Sequence, residues 1–245
     1  TEPVRARFYS AHFCFTLGQF AVEVQHDPEY YFHGEEISIS VRAYTHGYDL
    51  FHLHRVIIWH YYTRKDSKKQ WDDDTNWYRR NEYSHYKNRK LFGMENDGKE
   101  LNFNEFGFGK NRTLDQYERY SGISFKKRAV QQYTLDHHLA PNPQIEDQIE
   151  YENSFTYHFK HCIDVGYHDV PHDDYTFWAV AFLDEDENEI FRQDADPEEI
   201  RRMKNDVDGY CKIWRSFETT KRPAKWVVWP HSEKHGFGPR LEGNL

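Results

Sequence analysis

The sequence predicts an α/β fold in its first part and a β-rich fold in its last part. Residues 35–46 have the spacing of an amphipathic helix and are followed by an aromatic and β-branched run typical of a strand. Pro141 and Pro143 break any helix near the middle of the chain. Beyond them, short apolar runs alternate with turn residues, as in a small β-sandwich. We therefore expect one domain over residues 1–143 and a β-rich accessory domain over residues 144–245.

A helix is predicted to begin just after Gly34, which permits a tight turn. Glu35 and Glu36 then fall in the first turn, where carboxylates complement the positive end of the helix dipole. Gly47 has the composition of a left-handed residue after a helix end. One apolar stripe should pack against a sheet; it comprises Ile37, Val41 and Tyr44.

Residues 48–59 are predicted to form a strand, and residues 56–59 are apolar enough to be buried on both faces. His60 then lies where the strand emerges. In open α/β sheets, ligand sites gather beyond strand ends and at helix N-termini, so Glu35, Glu36 and His60 are candidates for one crevice. The plainer alternatives are dipole compensation for the acidic pair and an interfacial role for His60.

The stretch from residue 64 to residue 143 mixes charged and aromatic side chains, which favours solvated helices and loops over a binding surface. Residues 102–109 alternate aromatic with small or polar side chains. This pattern fits a mobile lid and an ordinary surface loop equally well. Leu114, Tyr117 and Tyr120 indicate a short amphipathic helix.

The last hundred residues predict strands at residues 154–166, 176–184, 189–194 and 226–230. Residues 184–188 have the composition of a hairpin turn, and Asp196 with Pro197 predicts the start of a helix that runs to Met203. Loose histidines and aspartates here lack zinc-type spacing, so solvated loops are favoured over a metal site. Core packing is likewise favoured over a sugar-binding platform for Trp214, Trp226 and Trp229.

Bulk composition excludes several classes of protein. The formal net charge of −9 gives no basic field for nucleic acid. No apolar run approaches the ~18 residues of a membrane span. Cys14, Cys162 and Cys211 are odd in number and widely spaced, which favours a reducing compartment such as the cytoplasm.

Ordered motifs between residues 3 and 135 resemble a known family. The segment around Gly34-Glu35-Glu36 is similar to the acceptor side of the GT-A glycosyltransferases, including the polypeptide N-acetylgalactosaminyltransferases. The closer resemblance is to the N-acetylglucosaminyltransferases that include cytoplasmic enzymes acting on hydroxyproline. The matching stretches are residues 10–16 (SAHFCFT), 26–28 (HDP), 31–36 (YFHGEE), 45–51 (THGYDLF), 71–74 (WDDD) and 113–125 (TLDQYERYSGISF).

The resemblance implies a metal-dependent transfer of GlcNAc from UDP-GlcNAc to a hydroxyl of a protein or glycan acceptor. Glu35 or Glu36 would orient or deprotonate that hydroxyl. His60 would complete a Mn²⁺ or Mg²⁺ site. Arg64 would hold the diphosphate, whose charge grows as the sugar leaves.

One departure from the family pattern stands out. GT-A enzymes bind the nucleotide on an N-terminal half that ends in an Asp-x-Asp or Asp-x-His motif, and residues 72–74 (DDD) come too late in the order to replace it. We therefore expect residues 1–143 to be the C-terminal half of a GT-A domain, with the nucleotide half lost or on a separate polypeptide. Such a fragment alone should not transfer sugar. The alternative is a non-catalytic carbohydrate-binding or assembly module.

Overall fold

The computed structural model describes residues 2–61, 67–204 and 209–245. The chain divides into two compact units, Thr1–Phe155 and Thr156–Leu245. The sequence instead predicts this boundary after residue 143. The protein is mixed α/β, and every strand pairing described below is antiparallel.

The first unit is built mainly from helices. Two short antiparallel strand pairs accompany them: β1 with β2, and β3 with β4. The helices are α1 (Gly18–Glu23), α2 (Glu35–Thr45), α3 (Trp77–Leu91), α4 (Leu114–Ser121), α5 (Gln132–Leu135) and α6 (Gln148–Asn153), and the strands are β1 (Val4–Ala6), β2 (Leu50–His52), β3 (Ile123–Ser124) and β4 (Ala129–Gln131).

Helix α2 is the centre of this unit, and its predicted limits are confirmed. It begins directly after Gly34 and ends before Gly47, and both glycines have positive φ angles, 97° and 96°. Val41 packs in a cluster with the aromatic residues of α4 and the end of α3, whereas Ile39 packs with Phe20 of α1. The helix is therefore buried between other helices, and the prediction that its stripe packs against a sheet is wrong.

The strand predicted over residues 48–59 is confirmed only in a short part, and the rest of the prediction is wrong. Strand β2 contains only Leu50–His52, and residues 53–61 have no regular secondary structure. The run from Val56 to Trp59 is exposed rather than buried, and Trp59 retains 82% of its surface. Apolar composition predicted burial here, but the described residues of this unit leave the run uncovered.

Residues 102–112 lie over the C-terminal end of α2. The backbone N–H of Gly109 donates to the Thr45 hydroxyl (2.9 Å), and the N–H groups of Asn111 and Arg112 donate to the Thr45 carbonyl oxygen. A Cβ on Gly109 would come within 2.5 Å of the Thr45 backbone. This close approach explains the glycine by packing. It favours a fixed loop over a lid.

The described part of the second unit contains two antiparallel sheets and one α-helix. The first sheet pairs β5 (Phe155–Gly166) with β8 (Tyr210–Thr219). The second has β6 at its centre, flanked by β7 and β9, and β9 also pairs with β10 and β11. Its elements are β6 (Tyr175–Leu183), β7 (Glu189–Arg192), β9 (Lys225–Ser232), β10 (Gly236–Phe237), β11 (Leu241–Asn244) and the helix α7 (Pro197–Met203).

One hydrophobic core lies between these sheets and α7. Trp178 is its largest fully buried side chain, and Ile163, Ile213 and Val228 bring in three further strands. Burying each such aliphatic side chain contributes about 1.5–3 kcal/mol. The four predicted strands, the 184–188 turn and the Asp196-capped helix are confirmed, whereas β8, β10 and β11 are additional.

None of the helices in the described part of the chain has the length and apolarity needed to cross a membrane.

Candidate functional site

The start of α2 carries the candidate catalytic carboxylates, and a hydrogen-bonded chain fixes its position. The Asn88 side chain of α3 donates to the carbonyl oxygen of Gly34 (2.8 Å), and the Tyr30 hydroxyl donates to Asn88 Oδ1 (2.7 Å). Two features require glycine at position 34. Its φ is 97°, and a Cβ there would lie 2.4 Å from Asn88 Nδ2. Glu35 is therefore placed by α3 as well as by its own helix.

Glu35 lies half-buried at this helix start. Its Oε2 atom is buried and has no hydrogen-bond partner among the described residues. Burial raises the pKa of the Glu35 carboxyl above its ordinary value, and the negative charge of Glu36 adds to the rise. Opposing this, a hydrogen bond from its own backbone and the nearby His26 and His33 lower the pKa. The net effect is a carboxyl that holds a proton more readily than one in water.

Glu36 has a different environment. It is exposed, and its Oε1 accepts a hydrogen bond from the Ala11 N–H (2.8 Å). Two residues earlier, the N–H of Tyr9 donates to the hydroxyl of Ser40 (2.7 Å). Glu36 and Ser40 therefore hold the segment around Tyr9 and Ala11 along one side of α2. The Glu36 carboxylate thus accepts a hydrogen bond from another segment, whereas Oε2 of Glu35 has no partner among the described residues.

Tyr9 lies in the same neighbourhood as both carboxylates. Burial raises its pKa to about 12, and Cys14, Glu36 and Glu35 add to the shift. Its ring contacts His26 edge-on, with ring centroids 6.1 Å apart. The phenol is therefore neutral at physiological pH, and a side-chain hydrogen bond joins it to Cys14.

His60 is exposed and lies next to His12, with ring centroids 5.4 Å apart. Nδ1 of His12 lies 2.8 Å from the Ser10 hydroxyl. Because Ala11 contacts Glu36, residues 10–12 connect His60 to the start of α2. His60 therefore lies beside this segment and not at the end of a strand. Arg64, the candidate diphosphate ligand, lies outside the described residues.

A metal ion needs more ligands than this region offers. Among residues 2–61, 67–204 and 209–245, no three His, Cys, Asp or Glu side chains are grouped so that they could hold a metal. Asp72, Asp73 and Asp74 are used locally instead: Asp72 accepts from the Lys69 N–H, and the other two pair with lysine and arginine side chains. The described side chains therefore do not form a complete site for Mn²⁺ or Mg²⁺.

Comparison with known proteins assigns the first unit. The family model for glycosyltransferase (GlcNAc) matches residues 1–127, just over half of the 245-residue chain. The chain belongs to this family. No curated protein and no solved structure matches it. Glu35, Glu36, His60 and Arg64 all lie inside the region that matches the GlcNAc glycosyltransferase family.

A buried ionic cluster beside the site was missed by sequence reasoning. In this glycosyltransferase, Lys87 of α3 bonds to the buried Asp27 and to Glu29 (2.6 Å). Burial by itself would lower the pKa of Lys87, but hydrogen bonds to both carboxylates raise it above its ordinary value. The available signal was the helical spacing of the buried positions on α3, Ser84, Lys87, Asn88 and Leu91.

Arg42, on α2 itself, is fully buried and was likewise missed. Its guanidinium donates to the Gln25 carbonyl oxygen (2.7 Å) and lies 5.6 Å from the centre of the Phe106 ring. Burial lowers its pKa. Arg42 is not part of the predicted apolar stripe of α2. The structure shows that this side of α2 is covered by residues 25–27 and by the 102–112 loop.

Proposed function

We propose that residues 1–155 form the acceptor side of a GT-A glycosyltransferase that moves GlcNAc from UDP-GlcNAc to a hydroxyl of a protein or glycan. One observation carries the proposal. Glu35, inside the family-matched region, keeps a buried carboxylate oxygen unpartnered among the described residues at a helix start and has a raised pKa. A partly desolvated carboxyl of this kind suits a role in proton transfer.

In the proposed reaction, Glu35 orients the acceptor hydroxyl and takes its proton as the oxygen bonds to the anomeric carbon. The bond between that carbon and the diphosphate breaks, and UDP leaves. Glu36 holds the Ala11 segment against α2 and so shapes the acceptor side. Burial makes the Glu35 carboxylate a stronger base than a carboxylate in water, which assists the step.

His60 is proposed as one ligand of a Mn²⁺ or Mg²⁺ ion that supports the diphosphate. Since the described residues do not complete such a site, its remaining ligands would come from elsewhere. Arg64 is proposed to contact the diphosphate, because guanidinium binds phosphate oxygens in a bidentate fashion. An imidazole suits a mixed nitrogen and oxygen site of this kind.

A nucleotide-binding half is proposed as the partner of this unit. The support is an apolar surface on the first unit that includes Val56, Ile57 and Trp59, all exposed. Neighbouring large apolar side chains left exposed in this way mark a protein contact surface. We propose that the nucleotide half covers it, completing a GT-A domain. The second unit would then be a sandwich-like accessory domain. The free Cys14, Cys162 and Cys211 are compatible with a cytoplasmic location.

Calorimetry and turnover together test the proposed roles. In the complete enzyme with its nucleotide-binding half, Glu35→Gln should abolish transfer from UDP-GlcNAc and leave UDP affinity nearly unchanged, because the residue serves the acceptor. His60→Ala should weaken Mn²⁺-dependent UDP binding about tenfold or more. Glu36→Gln is the matched control and should retain more turnover than Glu35→Gln.

The outcomes are separable. Equal loss of UDP affinity in Glu35→Gln and His60→Ala would show that the assigned roles are wrong. Full turnover by the Glu35→Gln variant would show that Glu35 is not the base. The present chain alone should show little Mn²⁺-dependent UDP binding, and micromolar binding would mean that no partner half is required. If the protein with its nucleotide-binding half shows no turnover but binds glycans, the alternative of a non-catalytic carbohydrate-binding module is favoured.

A further inference from the structure

The outer face of the larger sheet in the second unit carries a cluster of rings from three neighbouring strands. Phe177 of β6 and Phe237 of β10 both lie opposite His231 of β9. Trp229 lies two residues from His231 and therefore on the same face. Trp178 and Val228, the alternate residues, point into the core. These four outward residues, Phe177, Trp229, His231 and Phe237, are the aromatic face.

The rings of the aromatic face are in mutual contact. The Trp229 and Phe237 centroids are 4.5 Å apart, and those of Phe177 and His231 are 5.1 Å apart at an interplanar angle of 15°. Phe237 also meets His231 edge-on at 4.8 Å. The four side chains therefore form one continuous surface.

Hydrogen bonds fix the orientation of two of these rings. Trp229 Nε1 donates to the carbonyl oxygen of Gly238 (2.9 Å), and Nδ1 of His231 lies 2.6 Å from the Thr176 hydroxyl. Even so, Trp229 remains 40% exposed and Phe237 51% exposed. A ring held in place but left open to solvent loses little entropy when a ligand stacks on it.

We propose that the aromatic face binds a neutral saccharide, with sugar C–H faces stacked on Trp229 and Phe237. This site is separate from the transfer site of the first unit and goes beyond the proposed transfer reaction. Thr176 engages the Nδ1 atom of His231, so Nε2 is the ring nitrogen that would meet a sugar hydroxyl. Thr176, which is exposed beside it, offers a second polar contact.

The area and the charge of the aromatic face favour a sugar over other partners. The exposed part of the two large rings amounts to roughly 200 Å², well below the ~800 Å² per partner of a stable protein interface. The cations on the strands of this sheet, Arg192 and Lys225, are already paired with Asp194 and Glu187. An anionic polymer would thus find no unpaired cation on these described strands, whereas a small neutral ligand needs none.

The other sheet of the same unit supplies a matched control. Trp214 on β8 is 58% exposed, more than Trp229. The Lys160 ammonium, however, lies 5.3 Å from the centre of its ring, and the structure describes no ring–ring contact for Trp214. Trp214 therefore tests whether an exposed indole alone is enough to bind a sugar.

Isothermal titration calorimetry with N,N′,N″-triacetylchitotriose and with maltotriose, in the absence of UDP and metal, tests this site. We expect wild-type protein to bind at least one of these neutral trisaccharides. Trp229→Ala and Phe237→Ala should each weaken binding about tenfold or more. Trp214→Ala should leave it unchanged. Phe237→Tyr, which keeps a ring, should retain most of the affinity, and near-ultraviolet circular dichroism checks the fold of each variant.

Three results would overturn the proposal. Wild-type protein that binds neither trisaccharide has no such site. An equal loss of trisaccharide affinity in Trp214→Ala and Trp229→Ala would show that the sugar does not bind at the aromatic face. Sedimentation velocity that shows self-association abolished by Trp229→Ala would make the aromatic face an interface between copies of the chain. Since neither UDP nor metal enters the measurement, these failures are distinct from failure of the proposed transfer function.

Discussion

The side-chain amide of Asn88 donates a hydrogen bond of 2.8 Å to the carbonyl oxygen of Gly34, a residue 54 positions earlier in the chain. The same carbonyl accepts the first hydrogen bond of α2, from the N–H of Ser38 (3.2 Å). Asn88 thus supplements the first turn of the helix that presents Glu35. Because α3 supplies this bond, a change on α3 should alter the position of the Glu35 carboxyl.

Gly34→Ala should destabilise the first unit strongly. The alanine would have to adopt a left-handed backbone, which costs about 1–2 kcal/mol, and its Cβ would meet Asn88 Nδ2 at 2.4 Å. We expect a total loss of about 3 kcal/mol. Urea unfolding, followed by a probe of the first unit, measures it.

Gly93→Ala is the control for backbone strain alone. Gly93 has a comparable positive φ of 66°, but among the described residues no atom lies within 4 Å of the position that an alanine Cβ would occupy. The free energy of unfolding should therefore fall by only about 1–2 kcal/mol in Gly93→Ala, which is the cost of the backbone conformation. Equal losses at the two glycines would show that the contact with Asn88 contributes nothing.

Local signals in the sequence predicted local structure well. Gly34 and Gly47 bracket α2 because positive φ angles are needed at both ends, and Asp196 with Pro197 marks the start of α7. These features depend on a few neighbouring residues. Glu35 and Glu36 were placed correctly in the first turn for the same reason.

Long-range features could not be obtained in this way. The apolar run ending at Trp59 looked like a buried strand, but burial depends on what packs against it, and here it is exposed. The pairing of Lys87 with Asp27 joins residues 60 positions apart. Composition alone does not indicate which charges will meet inside a fold. The different environments of Glu35 and Glu36 likewise required coordinates.

Lys87→Met should destabilise the first unit by about 3–5 kcal/mol. It would leave Asp27, which is buried, without its cation, and Glu29 without one of its contacts. The control is Lys68→Met, because the Lys68–Asp73 pair is largely exposed and worth at most about 1 kcal/mol. The two variants are compared by urea unfolding at neutral pH. Similar small losses in both would show that the buried pair is dispensable.

Glu35→Gln should stabilise the folded protein at neutral pH while removing the proposed base. Burial raises the pKa of Glu35 in the folded state, so between the unfolded and folded pKa values the folded state binds more protons. Stability then falls as pH rises through that window. Above the folded-state pKa the wild-type protein bears the full cost of a desolvated carboxylate, which glutamine removes.

The advantage of Glu35→Gln should therefore shrink as pH falls towards the ordinary pKa of a glutamate, because both proteins then carry a neutral side chain. Glu36→Gln removes the same first-turn charge from a carboxyl that is exposed, so it controls for the helix dipole. Thermal unfolding of the three proteins over a range of pH provides the comparison. A gain for Glu35→Gln that is equal at every pH would mean that desolvation of its carboxylate is not the cause, and the physical argument for Glu35 as the base would fail with it.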